Sequence, residues 1–177
     1  MNTENTRSGE GMQRLRCALR SFDLRWISFG SPSAIVTSMA LIVGLGAATA
    51  AKATMLASLL IIGIADNLTD SLSVHIYQES ERMAQGQAFR ATVANYAVRL
   101  AVTGSFIFLL LALPTKAVVC ACLAWGGFLL SGLSYLLAKV RHVGALSEIS
   151  KHLGVAAVVI LLSNVIGLLI RSLGALP

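Results

Sequence analysis

Long apolar runs broken by short charged interruptions dominate this chain. Between Arg25 and Lys52 lie 26 residues without a formal charge, and two more long apolar runs stand between Lys116 and Arg171. Each is long enough to cross a hydrocarbon core of about 30 Å as helix, which takes about 20 residues. The short alternating segments of a strand barrel are not visible. The pattern therefore predicts an all-α integral membrane protein with five transmembrane helices, near 31–50, 54–77, 92–113, 117–138 and 152–170. Pro114, Thr115 and Lys116 predict a tight turn, and the connection around Lys52 is equally short, so spans one–two and three–four read as hairpins. Charged connections are expected over 78–90 and 139–151. Gly44, Gly46, Ala47 and Ala48 in span one, and Gly126, Gly127, Ser131 and Gly132 in span four, are small enough for close helix contact.

Composition narrows the class further. The 177 residues are 56% hydrophobic and only 12% charged, with a mean hydropathy of +0.77, and so little charge cannot cover a soluble domain. The net charge of +6 suggests nucleic acid until its placement is considered. Arg7, Arg14, Arg16, Arg20 and Arg25 precede the first span and most of the others flank apolar runs, which is a membrane-orientation signal; no nucleic-acid partner is expected. With the N-terminus inside, ten basic residues are cytoplasmic: those five, Arg82, Arg90, Lys139, Arg141 and Lys151. Only Lys52, Lys116 and Arg171 lie opposite. The expected topology is thus a cytoplasmic N-terminus and an outside C-terminus. Residues 1–27 form a cytoplasmic segment, in which Met12, Leu15, Leu19, Phe22 and Trp26 predict an amphipathic helix on an anionic leaflet. Residues 28–177 form the transmembrane domain. The Arg-rich start does not read as a cleavable signal peptide. Cys17, Cys120 and Cys122 have neither metal spacing nor an even count, and read as packing residues.

The second half of span two changes abruptly to IADNLTDSLSVHIYQESE, 64–81. Asp66, Asp70, Ser73 and Tyr77 follow at helical spacing along one face. A carboxylate in hydrocarbon costs several kcal/mol unless paired or hydrated. Counted at about 1.5 Å per residue, Asp70 and Arg99 lie at the same depth, about 26 Å from the outer boundary, and Asp66 lies near 20 Å with no cation at its level. Two readings stand. Asp70 and Arg99 form a packing pair with Asp66 protonated, or the acids line a hydrated cavity that binds a cation or carries protons. At the cytoplasmic face, His75 with Glu79 and Glu148 with His152 have the i, i+4 spacing of helical metal ligands, beside the simpler reading of solvated surface. Met39 offers a thioether, or a core side chain. No nucleophile elbow is paired with an intramembrane His, and no second span supplies an opposing acid, so enzyme chemistry is not expected.

Two stretches carry a family resemblance: FGSPSAIVTSMALIVGLGAA, 29–48, and the run from Ile62 to Glu81, above all Asp70 followed by SLSVHIYQESE. They resemble the vacuolar iron transporter family over about a third of the chain. The resemblance implies proton-coupled export of ferrous iron or manganese from the cytoplasm, with the ion as cargo and no resident cofactor. It also implies a homodimer with a pore lined by span one and the polar half of span two; the expected location is a bacterial inner membrane. Taken with the residue reading above, the expected metal-handling positions are Asp66, Asp70, Ser73, Met39, His75 and Glu79, with Ser33 and Arg99 as pore or pairing residues. Two departures stand out. The family's span-one acid falls at Ser33, after Pro32, and its Glu-rich metal-binding domain is replaced by the short 78–90 connection. A homologue with a regulatory or assembly role and no transport is the alternative expectation, and an intramembrane enzyme the third.

Overall fold

The computed structural model describes residues 24–82 and 84–174. The amphipathic segment and the rest of the 1–27 unit lie outside them, apart from the helix start at Leu24. The described residues form α1 (Leu24–Ala47), α2 (Lys52–Ile61), a π-helical turn (Ile62–Asp66), α3 (Asn67–Ser80), α4 (Gln85–Ala112), α5 (Thr115–Val140) and α6 (Ala145–Gly174), with no strand among them. α2, the π turn and α3 make one continuous rod. The result is five helices long and apolar enough to cross a membrane.

The helices run beyond the apolar windows. The 78–90 connection shrinks to 81–84 and the 139–151 loop to 141–144. Charged residues end the apolar stretch without ending the hydrogen-bonded helix, which continues through Arg90, Glu148 and Lys151. Three of the turns contain a left-handed residue, Thr49, Arg82 and His142, with φ of 60°, 59° and 53°. After Thr49 and His142 the chain closes with six-to-one bonds, Ala50 N to Leu45 O at 2.9 Å and Val143 N to Ala138 O at 3.1 Å. These satisfy carbonyls that the helix end would leave open.

Span one is the central helix, packed along spans three, four and five. Ile35, Met39 and Ile42 from it meet Met55, Leu59, Phe106, Leu110, Val118 and Cys122 in one core. Small residues permit the closest approaches inside the protomer. A Cβ on Gly126 would overlap the Met39 thioether, and one on Gly167 would overlap the Gly44 carbonyl. Gly46 faces Val119, 3.2 Å from where its Cβ would stand. The small face of span one is thus taken up by spans four and five of its own chain. At the opposite end from the 81–84 turn, the Lys52 ammonium donates to the carbonyls of Leu113 at 2.9 Å and Leu111 at 3.4 Å. It caps span three and pins spans two and three together. Lys52→Met is expected to lower stability by about 1 kcal/mol, read as a lower thermal midpoint in detergent.

Candidate functional site

The candidate site forms where the π turn brings span two against span three. In a regular helix the Asn67 N–H would bond the Gly63 carbonyl. Here it reaches back to Ile62 O, five residues away, and the freed Gly63 carbonyl accepts from the Asn67 side chain at 3.1 Å. Gly63 also lets span three approach closely, because a Cβ there would lie 3.3 Å from the Thr103 methyl. The second hydrogen of the Asn67 amide goes to Thr103 Oγ1 at 3.2 Å. With both hydrogens used, Asn67 turns its oxygen to Arg99, which donates from Nε at 3.0 Å.

Arg99 is the centre of the site and is 1% exposed. Its Nη1 donates to the Gly30 carbonyl of span one at 2.8 Å. Nη2 remains for the acids, forming ion pairs with Asp70 at 2.6 Å and Asp66 at 3.5 Å. The guanidinium fork is therefore fixed on two sides and offers a single nitrogen to two carboxylates. Those carboxylates are 44% and 47% exposed, on a flank of the bundle that no other part of the described chain covers. Ser33 Oγ stands 3.5 Å from Asp70 Oδ2. Asn95 completes the inner layer, donating to Ser71 Oγ at 3.2 Å.

The matched depth of Asp70 and Arg99 gave the correct pair. The expectation that Asp66 has no cation at its level is corrected. The guanidinium ends between the two acids, and the π turn alters the regular spacing used to place Asp66. Ser33 joins the group. Ser73 is exposed and donates to Thr69 O at 3.1 Å, so its proton is used within its own helix. Met39 does not join. It is 2% exposed and sits in the core against Gly126, as the core side chain of its two readings. His75 and Glu79 form a separate pair one end away, 3.4 Å apart. Glu148 is paired with Lys151 at 3.1 Å, and His152 contacts Ser134 at 2.8 Å. Among the described residues, no three His, Cys, Asp or Glu side chains gather into a metal-binding group.

Sequence reasoning missed Gly30, Asn67, Ser71, Asn95 and Thr103. Asn95, Arg99 and Thr103 recur every fourth residue in an otherwise apolar span, and that stripe was a usable signal. Gly30 gave none, because its role is defined by a neighbour 65 positions on in the sequence. A Cβ there would overlap Asn95 Oδ1 and lie 2.8 Å from Arg99 Cδ. Gly30→Ala should therefore displace Arg99 and cost about 1–3 kcal/mol, measured by thermal unfolding, whereas Gly127→Ala, with open space around it, should be neutral.

No family model, curated protein or solved structure matches this chain.

Proposed function

We propose that the protein is a transporter that exports a divalent cation, iron or manganese, from the cytoplasm in exchange for protons, working as a homodimer in a bacterial inner membrane. One observation carries the reading: two half-exposed carboxylates midway along the second span share one buried guanidinium. Formal charges of −2 from Asp66 and Asp70 and +1 from Arg99 leave −1. Acyl chains cannot cover such a face without a cost of several kcal/mol, so it calls for water, an ion or a second copy. Two copies facing each other would together carry −2, the charge one divalent ion neutralises. The donors there, carboxylates and the Ser33 hydroxyl, are hard oxygens suited to manganese or ferrous iron. The small face of span one is occupied within the protomer, so the copies would meet through the side bearing Ser33, Asp66 and Asp70.

Arg99 supports a second reading. Its anchoring to Asn67 and Gly30 makes it a permanent cation beside the acids, as in a homologue that has kept the fold for a regulatory or assembly role without transport. Sealed proteoliposomes distinguish the two. Transport predicts uptake of Fe2+ or Mn2+ in preference to Zn2+ and Co2+, accelerated by a pH gradient. The assembly reading predicts no uptake of any of the four under either condition.

The loop charges orient the transporter with 81–84 and 141–144 in the cytoplasm. In a background without native cysteines, a cysteine at position 146 should react with a membrane-impermeant reagent only from the cytoplasmic side. Labelling from outside alone would reverse the direction of export.

A further inference from the structure

At the end of the bundle that carries the 81–84 and 141–144 turns, spans two and three are joined by one imidazole. His75 Nδ1 lies 3.0 Å from Thr92 Oγ1, and that hydroxyl donates to the Ala88 carbonyl at 2.9 Å. A hydroxyl has one proton. With it committed to Ala88, the hydrogen in the His75–Thr92 bond belongs to Nδ1. The ring is then held as a donor on one side, leaving the Nε2 lone pair on the other, the arrangement in which ligating histidines are usually fixed.

Nε2 faces Glu79 Oε1 at 3.4 Å, with His75 24% and Glu79 48% exposed. A proton shared between imidazolium and carboxylate draws the heavy atoms to about 2.7–2.9 Å. The observed gap is wider. It equals the separation of about 3.4 Å between neighbouring donors on a tetrahedral ion bound at about 2.0–2.2 Å.

The geometry points to a divalent transition-metal site at His75 Nε2 and Glu79 Oε1, completed by water. Two protein ligands make it a site of modest affinity that exchanges its ion with solvent, separate from Asp66 and Asp70 and independent of the transport reading. The histidine of the other hairpin provides an internal comparison. Ser134 donates to Leu130 O at 2.6 Å and lies 2.8 Å from His152 Nδ1, so that ring is oriented in the same way. Its carboxylate neighbour, Glu148, is taken by Lys151 at 3.1 Å. The structure thus gives His75 an available acid and His152 an occupied one.

Selective nitrogen-15 labelling of histidine in the full chain, held in lipid nanodiscs, tests the assignment. The chain has three histidines, so the spectrum is resolvable at His75, His142 and His152. Without metal, His75 should carry its hydrogen on Nδ1. Zn2+ titration should shift His75 Nε2 first, with His142 and His152 responding only at higher concentration. Glu79→Gln should weaken the His75 response about tenfold or more while leaving the Nδ1–H signal in place. Asp66→Asn should leave the Zn2+ response of His75 unchanged, whatever it does to ion flux. The assignment is overturned by a resting Nε2–H at His75, by equal Zn2+ sensitivity of all three rings, by a Glu79→Gln variant of unaltered affinity, or by loss of the response in Asp66→Asn.

Discussion

Arg99→Leu is expected to be the most destabilising single change in the transmembrane domain. It removes the counter-charge of two carboxylates, orphans the buried Asn67 oxygen and breaks the bond that ties span three to the Gly30 carbonyl of span one. Breaking a fully buried ion pair costs about 3–5 kcal/mol. Here the acids are almost half exposed, which screens the charge contribution, so a loss of about 3 kcal/mol is the better expectation. Thermal unfolding in mild detergent or nanodiscs measures it. Asp70→Asn combined with Arg99→Leu should recover part of the loss, giving a coupling of about 1 kcal/mol or more. Full additivity would mean that the pair does not stabilise the bundle. Arg99→Lys should not rescue it, because an ammonium cannot serve Asn67, Gly30 and the acids from one point.

Why Arg99 needs three kinds of partner explains how far the sequence could be read. The spans were legible because hydrocarbon thickness fixes their length and charge marks their ends. Their true ends were not, because charged residues such as Arg90 and Glu148 continue the helix without contributing to an apolar run. The Asp70–Arg99 pair was legible by counting depth along regular helices. Asp66 was misjudged because it closes the π turn, and an inserted residue leaves little trace in a pattern of apolar spacing. Gly63 and Asn67 together build that turn, one by permitting close approach and the other by satisfying the freed carbonyl. Met39 was ambiguous in sequence, since a core thioether and a ligand thioether look the same until Gly126 is seen against it.

The largest functional effect is expected at Asp66. Of the two acids it is farther from Arg99 Nη2, at 3.5 Å against 2.6 Å for Asp70, and so is the less neutralised. A cation arriving at this flank would meet Asp66 as the less engaged carboxylate and Asp70 as the more tightly paired one, with Ser33 Oγ 3.5 Å from Asp70 Oδ2. Asp66→Asn keeps the size and a hydrogen-bonding oxygen but removes the charge, changing the local sum from −1 to 0. On the transport reading it should abolish divalent-cation flux in proteoliposomes, while the thermal midpoint changes little because its ion pair is long and half exposed. Asp70→Asn should reduce both flux and stability. Ser33→Asp adds a third acid beside Asp70 and takes the local sum to −2, so on the transport reading it should raise flux or shift preference toward the more charge-dense ion. Normal flux in Asp66→Asn would remove the reason for assigning transport to this face and favour a non-transporting role for the Arg99 cluster.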